Sequence, residues 1–204
     1  MKMIAMTGLA MSACLAASVA MAGDGAIATD NVPSKVTAVC QTCHGPRGDS
    51  TSASIPRLNA QHAEYITARL KSFLDPGRED PHATAAMWGV ARTVDNATIA
   101  AIANYYAAQT PTPPGKGGPL AAEGKKFYAT GDAADNIPAC QSCHGAHAEG
   151  NGLVPRLAGQ HGDYLKKQLE RLRFDLRASN TMHPNVNNIT DRQIEALVAY
   201  LANN

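Results

Sequence analysis

Two short motifs of cysteine and histidine hold the residues with the clearest chemistry in this sequence. Cys40-Gln41-Thr42-Cys43-His44 and Cys140-Gln141-Ser142-Cys143-His144 begin one hundred residues apart. Their spacing suits covalent haem, because the two sulfurs reach the two vinyl groups and the adjacent histidine faces the iron. A single copy could also be a redox dithiol or half of a zinc site, whereas two copies favour two covalently bound haem c groups. The predicted thioether cysteines are Cys40, Cys43, Cys140 and Cys143, and the predicted iron-binding histidines are His44 and His144.

One methionine in each half is the predicted second ligand of each iron. Five of the seven methionines lie within residues 1–22, so the rest of the chain contains only Met87 and Met182. Each stands eight residues before a candidate helix N-cap, Asp95 or Thr190, and therefore occupies the same place in a repeated unit. Methionine also fills apolar cores, but two core residues need not fall in register. We predict that both bind iron opposite the histidines, from loops that precede the last helix of each half.

Four other histidines compete with the methionines as ligands. His62 and His161 are equivalent in the repeat, and His82 and His183 lie close to the methionines. Ligation of each iron by two histidines would follow if one of these replaced the thioether. However, His62 and His161 begin predicted helices, where surface or hydrogen-bonding roles are ordinary, and His82 has no counterpart in register.

The predicted ligands favour electron transfer over catalysis. With histidine on one side and methionine on the other, the iron keeps no open position for peroxide or a substrate. The thioether favours the ferrous state, and the protein has only to hold the haem in an apolar pocket with one edge near the surface. We therefore predict no catalytic residue.

Further residues repeat on the histidine side of each site. Pro56 and Pro155 follow the motif histidines by twelve and eleven residues, and their carbonyls could accept the imidazole N–H. Arg57 and Arg156 come next in the chain. Their guanidinium groups could pair with the haem propionates, or they could remain solvated.

The first 22 residues have the pattern of a signal peptide, with one lysine, an uncharged apolar run and a small-x-small cleavage pattern. We predict cleavage near Ala22–Gly23, a periplasmic location and no stable membrane insertion afterwards. An uncleaved anchor is the alternative, but the apolar run is short for a span. A lipoprotein would use Cys14, yet Met11 stands where leucine is typical.

Removal of the leader leaves a chain that is formally neutral and has cysteines only in the two motifs. The full sequence has 18 basic and 17 acidic residues, and the leader takes away Lys2 and no acid. A neutral chain offers no electrostatic basis for binding nucleic acid. Since Cys14 also leaves with the leader, no thiol remains for a disulfide, which is unusual in an exported protein unless the thiols are committed elsewhere.

The two halves repeat one another beyond the motifs. Residues 56–62 are P-R-L-N-A-Q-H, and residues 155–161 are P-R-L-A-G-Q-H. A segment rich in proline and glycine at 110–118 suits neither a helix nor a central strand. We predict a duplicated domain at 23–109 and 119–204, with 110–118 as the linker.

The periodicity of apolar residues is helical throughout and predicts an all-α fold without strands. The clearest helices are predicted at 62–73, 95–109, 120–129, 161–174 and 190–202. Asp95 and Thr190 are natural N-caps, because a short side-chain oxygen accepts from the free amides of the first turn. The last helix of each half should pack on the core of its domain.

Taken together, these motifs resemble the cytochrome c4 family, periplasmic di-haem proteins made of two class I cytochrome c domains in tandem. The resemblance covers nearly all of the sequence after the leader. It rests on the paired C-x-x-C-H-G, the repeated P-R-L-x-x-Q-H, the methionine before each final helix and the segment 103–109. Two departures are local: Asn59-Ala60 replaces the usual Ala-Gly, and the second methionine segment, Met182-His183-Pro184, is short.

The resemblance implies two low-spin haems and transfer of electrons from a quinol-oxidising complex or dehydrogenase to a terminal oxidase. A rival interpretation is the di-haem subunit of a flavoprotein dehydrogenase of the sulfide-oxidising type, which shares this architecture. A di-haem peroxidase is a third, but it needs one iron with an open position. This chain is short for that class and has an in-register methionine for both irons.

Overall fold

The computed structural model describes residues 33–76, 80–177 and 179–204, which belong to one compact unit. The predicted signal peptide at residues 1–22 and its cleavage point lie outside the described residues. No helix of the described ranges is long and apolar enough to cross a membrane.

Helices form nearly all of the regular structure. In the first half, a π-helical turn at Val36–Cys40 leads into α1 (Gln41–His44), followed by α2 (Ala63–Ser72), α3 (Pro81–Ala91) and α4 (Asn96–Ala107). The second half contains α5 (Pro119–Thr130), α6 (Gln141–His144), α7 (Gly162–Arg173), α8 (Met182–Val186) and α9 (Asp191–Leu201). The described part of the chain has isolated β-bridges but no strand. The predicted all-α fold class is confirmed.

All five helices predicted from periodicity are present, and their ends differ from the predicted ends by one or two residues. The predicted N-caps are confirmed as well. The Asp95 carboxylate accepts a hydrogen bond from the Thr98 N–H at 2.7 Å. Thr190 and Gln193 form a reciprocal capping box at the start of α9, which satisfies two amides of the first turn.

The prediction that the two methionines lie in loops was wrong. Met87 lies within α3, and Met182 is the first residue of α8. At the start of α3, the Asp80 side chain accepts from the Ala83 N–H at 3.4 Å, and Pro81 lies in the first turn. The alanine-rich run that follows has high helix propensity without a strong apolar period, which is why periodicity did not reveal the helix.

Each half has its own apolar core. The buried residues of the first core are Val36, Ile66, Leu70, Ile99, Ile102, Ala103 and Tyr106. The second core is built around residues of α5, α7 and α9, among them Tyr128, Leu165, Leu172, Ile194, Leu197 and Leu201. As predicted, the last helix of each half supplies part of its core. Two separate cores agree with the tandem architecture expected of a duplicated chain.

In the second half, α5 crosses α9 at very short range. A side chain at Gly124 would collide with the backbone carbonyl of Ala196. Glycine therefore lets the two helix backbones approach more closely than any other residue would allow. An exposed ion pair between Glu123 and Arg192, 2.6 Å between Oε2 and Nη2, lies beside this crossing.

The segment at 110–118 contains no helix and connects α4 to α5. Asn59 holds its first residues against the first half, because the side-chain amide donates to Thr110 O at 2.9 Å and to Thr112 Oγ1 at 3.2 Å. Asn59, which stands where alanine is usual in the resembled family, thus has a structural role in positioning this segment. The domain boundaries on either side of the segment stay predictions.

Candidate functional site

The motif histidines lie at the ends of two very short helices, α1 and α6, and both side chains are buried. The distance from His44 Nδ1 to Pro56 O is 2.9 Å, and that from His144 Nδ1 to Pro155 O is 3.0 Å. Because a carbonyl oxygen can only accept, Nδ1 carries the proton and Nε2 keeps its lone pair. The predicted hydrogen bonds to the two prolines are confirmed, and each leaves one ring nitrogen available to a metal.

Burial also keeps these imidazoles neutral. It lowers the pKa of His44 and of His144 below the usual histidine value, although the hydrogen bond to the proline carbonyl acts in the opposite direction. A neutral imidazole is the form that binds a metal ion. The surroundings of the two histidines are therefore compatible with metal binding.

A glycine ends each of the short helices directly after the histidine. Gly45 and Gly145 have φ angles of 80° and 82°, in the region that favours glycine. The chain can thus leave the helix at once. A Cβ at Gly45 would lie 2.8 Å from Asp49 Oδ1 and 3.2 Å from the backbone atoms Asp49 C and Ser50 N, so a side chain there would be crowded as well as strained.

The four motif cysteines are free thiols. Cys40 and Cys140 are half-buried, and Cys43 and Cys143 are exposed. Burial raises the pKa of Cys140 to about 11 and also raises that of Cys40. Redox dithiols have the opposite character, since their reactive thiol has a lowered pKa. Among the described residues, no three side chains of the histidine, cysteine, aspartate or glutamate type are grouped as a metal ion would require.

The methionines contact the same cores as the buried motif cysteines. Met87 and Cys40 are partly buried against the first core, and Met182 and Cys140 are partly buried against the second. Each half thus has one thioether packed against its own core, and the binding of iron by these methionines stays a prediction.

The histidines that competed as ligands make other contacts. The Nε2 atoms of His62 and His161 lie 2.8 Å from Glu149 O and from Ser50 O, in both cases a carbonyl of the other half. His183 Nδ1 lies 2.7 Å from Leu172 O, and the side chain of His82 lies outside the described part. His62 and His161 thus form hydrogen bonds, as the sequence predicted.

Two glutamines join the halves through reciprocal hydrogen bonds. Gln61 Nε2 donates to Arg156 O at 3.0 Å, and Gln61 Oε1 accepts from the Arg156 N–H at 2.9 Å. Gln160 bonds the backbone of Arg57 in the same way, at 3.0 and 2.8 Å. Such an exchange of equivalent contacts is typical of a two-fold arrangement.

The sequence showed this repeat but not its role as an interface. Within the P-R-L-x-x-Q-H segments, roles on the histidine side of each site were predicted only for the prolines and the arginines, and the glutamines were given no function. A signal was present, because a polar motif that recurs in both halves of a duplicated chain can contact its own copy across a two-fold axis.

The predicted pairing of the two arginines with haem propionates stays a prediction. Arg57 Nη1 donates to Gly159 O at 2.5 Å, across the interface between the halves. Burial lowers the pKa of Arg57, and the nearby Asp49 carboxylate opposes this effect. The Arg57 guanidinium is thus hydrogen-bonded to a backbone carbonyl of the second half.

A second group of contacts joins the halves near the start of α3. Arg171 Nη1 lies 3.4 Å from Asp80 Oδ1, and the Asp80 side chain is only 2% exposed. Arg177 Nη2 donates to Tyr65 Oη at 3.3 Å. These contacts add an ion pair and a side-chain hydrogen bond to the reciprocal glutamine contacts between the halves.

The residues present in each half fit a covalently attached haem c. One helical turn offers two free thiols, a buried neutral imidazole presents a lone pair, and a thioether is packed against the same core. Two sulfurs for vinyl groups, with one nitrogen and one sulfur for iron, are the donor set of a c-type cytochrome with histidine and methionine ligands.

Comparisons with known proteins give a consistent result. A family model described as Cytochrome c matches residues 121–204. Cytochrome c-552 of Acidithiobacillus ferridurans is 38% identical over 173 residues, which are 83% of this chain and 75% of that protein. Cytochrome c4 of Thiocapsa roseopersicina is 36% identical over 173 residues, 82% of this chain and 88% of that protein. A solved cytochrome c4 from Acidithiobacillus ferrooxidans has a TM-score of 0.76 and 38% identity, and the match covers 81% of this chain and 98% of that one.

Two further similarities concern dehydrogenases. A thiosulfate dehydrogenase electron acceptor of Thiomonas intermedia is 34% identical over 175 residues, 81% of this chain and 78% of that protein. The solved thiosulfate dehydrogenase of Marichromatium purpuratum has a TM-score of 0.66 and 29% identity, with coverage of 80% of this chain and 36% of that one.

Proposed function

Because the chain belongs to the cytochrome c4 family, we propose that it is an exported electron carrier with two covalently bound haem c groups. The observation that carries the proposal is the pair of buried histidines, His44 and His144. Each has Nδ1 bonded to a proline carbonyl and lies in a half that offers one methionine. The duplicated site supports one haem in each half.

The proposed attachment follows the two motifs. Cys40 and Cys43 form the thioethers of the first half, and Cys140 and Cys143 form those of the second. The pairing of the two cysteines of each motif on a single helical turn supports this assignment. The exposed second cysteine of each pair would bring one edge of the group close to the surface, where a partner can reach it.

The proposed iron ligands are His44 with Met87 and His144 with Met182. When bound, haem supplies an iron that exchanges one electron between its ferrous and ferric states. The imidazole Nε2 and the thioether sulfur would both hold this iron, so neither half would offer a ligand position to peroxide or a substrate. The thioether favours the ferrous state and raises the reduction potential above that of ligation by two histidines. These properties support electron carriage rather than catalysis.

We further propose that the partners are redox proteins of the periplasm. The predicted signal peptide supports this location, and a neutral chain supports docking through local patches rather than through overall charge. A quinol-oxidising complex or a dehydrogenase would be the donor, and a terminal oxidase the acceptor.

A second candidate function is that of an electron acceptor bound to a dehydrogenase. The similarity to the electron acceptor of Thiomonas intermedia and to the solved thiosulfate dehydrogenase supports it. In that case the donor is a dehydrogenase that oxidises a sulfur compound, as the dehydrogenase alternative drawn from the sequence also assumed.

Haem attachment is tested by mass spectrometry of the protein exported with its own leader in a host that matures c-type cytochromes. We expect two haems per chain, one after the double change Cys40→Ala with Cys43→Ala, and again one after Cys140→Ala with Cys143→Ala. Cys14→Ser is the matched control, since this cysteine lies in the predicted leader, and it should keep both haems. Two haems in either double variant would refute the attachment.

The partner is tested by stopped-flow reduction of the purified oxidised protein. A soluble carrier should be reduced rapidly by a quinol-oxidising complex and should purify without another chain. Co-purification with a dehydrogenase, together with rapid reduction only when its sulfur substrate is present, would instead support the second candidate function.

A further inference from the structure

One peptide group links each motif histidine to a glutamine of the other half. The carbonyl of Pro56 accepts from His44 Nδ1 at 2.9 Å. The N–H of Arg57 belongs to the same peptide group and donates to Gln160 Oε1 at 2.8 Å. His44 is therefore connected to Gln160 through a single amide that is hydrogen-bonded at both ends.

The second half contains the same arrangement in the opposite direction. The Pro155 carbonyl accepts from His144 Nδ1 at 3.0 Å, and the Arg156 N–H of the same peptide group donates to Gln61 Oε1 at 2.9 Å. Each half thus supplies the glutamine that completes the hydrogen-bond chain of the other.

The two glutamines are held in one orientation. Gln160 is buried, its Nε2 donates to Arg57 O at 3.0 Å, and its Oε1 also accepts from the His161 N–H at 3.0 Å. Gln61 is buried and makes the equivalent bonds to Arg156 O and to the His62 N–H. An amide flipped end for end would place its nitrogen against two N–H donors, so the oxygen must face the Pro-Arg peptide group.

Hydrogen bonds in such a chain strengthen one another. An acceptor on the amide N–H increases the negative charge on the carbonyl oxygen, because the two ends of an amide are conjugated. A more negative carbonyl accepts more strongly from Nδ1–H and increases electron density on the imidazole. A more basic imidazole ligand stabilises the ferric state and lowers the reduction potential.

We propose that Gln160 and Gln61 are positioning residues that lower the reduction potential of the site in the opposite half. Gln160 acts on the site of His44 through the Pro56-Arg57 peptide group. Gln61 acts on the site of His144 through the Pro155-Arg156 peptide group. The inference rests on the proposed function, since it requires a haem iron bound to each histidine.

Because each glutamine acts on the opposite half, an effect on the reduction potential can be distinguished from a loss of contact between the halves. Both glutamines contribute to the same contact between the halves, so a loosened interface would affect both sites together. A change that acts through the peptide group would affect only the opposite site. The two glutamines therefore serve as matched variants of each other.

The test is a redox titration of the holoprotein followed by NMR, which resolves the two haems through the methyl resonances of the proposed ligands Met87 and Met182. Gln160→Leu should raise the potential of the haem ligated by Met87 and leave the other unchanged. Gln61→Leu should do the reverse. His161→Leu is the control, because it removes a side-chain bond between the halves, to Ser50 O, that touches neither Pro-Arg peptide group. It should change neither potential.

Gln160→Glu provides a second variant in case the leucine variant does not fold. It keeps an acceptor for the Arg57 N–H and adds negative charge, so the potential of the haem ligated by Met87 should fall. Equal shifts of both haems in every glutamine variant, or no shift in any, would overturn the inference. If the unaltered protein lacked two haems with methionine ligands, the proposed function itself would fail, and the two failures are therefore distinguishable.

Discussion

A single hydrogen bond orients each motif histidine and leaves the lone pair of Nε2 available. Donation from Nδ1 to Pro56 O or Pro155 O fixes the ring, and burial keeps it neutral. These contacts were predictable because the same proline follows the motif histidine at nearly the same separation, twelve or eleven residues, in both halves. The role of Gln160 was not predicted, because its partner lies in the other half and the way the halves meet does not follow from separations along the chain. The recurrence of the glutamine in both halves was nevertheless a signal.

The methionine assignment gives a prediction for single residues. Met87→Leu keeps the side-chain volume, so the packing of the core should be preserved, and removes only the sulfur that is proposed to bind iron. The far-red absorption band of ferric iron bound to methionine sulfur should lose about half of its intensity, because one of two equivalent ligands is lost. Met182→Leu should likewise remove about half of the band intensity, and the double variant should lose the band completely. Retention of the full band in both single variants would refute the ligation.

At the scale of secondary structure elements, helix ends and turns decide how the sites are positioned. The helices with clear apolar periodicity were predicted to within two residues. In contrast, α3 and α8 were missed, because an alanine-rich run and a five-residue helix give little periodic signal. The turn before α2 shows a further local effect. Ala60 has a φ angle of 57°, whereas its counterpart in the second half is Gly159, with a φ of 72°.

This pair of residues allows a test of backbone strain. An alanine in the left-handed region costs roughly 1–2 kcal/mol, which glycine avoids. Part of this gain is offset by the greater freedom of glycine in the unfolded chain, so Ala60→Gly should raise the unfolding free energy by about 0.5 kcal/mol, measured by urea denaturation.

Gly159→Ala is the matched reverse change. It forces alanine into the same region and places its Cβ 3.2 Å from Cβ and O of Thr112. It should destabilise the protein by about 1 kcal/mol or more. A loss of stability in Ala60→Gly would contradict the strain argument.

At the scale of the whole molecule, the two halves are joined through polar groups that are 87 to 112 positions apart in the sequence. The duplication itself was readable, and it predicted two cores and two equivalent sites. The arrangement of the halves could not be predicted from the sequence, because many of the contacts use backbone carbonyls whose positions depend on the tertiary structure. The interface also contains the ion pair between Arg171 and Asp80, which the symmetry of the repeat did not suggest.

This ion pair predicts a large effect on stability. Arg171→Met removes a charge partner from the almost fully buried Asp80 carboxylate, which should lower the unfolding free energy by about 3 kcal/mol. This value is at the low end of the stability losses usually seen when a buried ion pair is broken, because the Arg177 guanidinium also attracts the Asp80 carboxylate. Urea denaturation followed by circular dichroism measures the change.

The control for this prediction is Lys166→Met. It breaks a pair with Glu195 at 4.0 Å in which both side chains are about half exposed, and such a pair contributes little. A similar loss in both variants would show that the contact between the halves does not depend on the buried pair.

The account as a whole depends on two irons that are each bound by histidine and methionine. The most direct test is a spectroscopic redox titration of the mature protein, with the haem content measured on the same sample. We predict two haems per chain, a far-red band in the ferric protein that disappears on reduction, and no change of the spectrum when peroxide is added to the ferric form. A single haem, a missing far-red band or rapid turnover of peroxide would contradict the account.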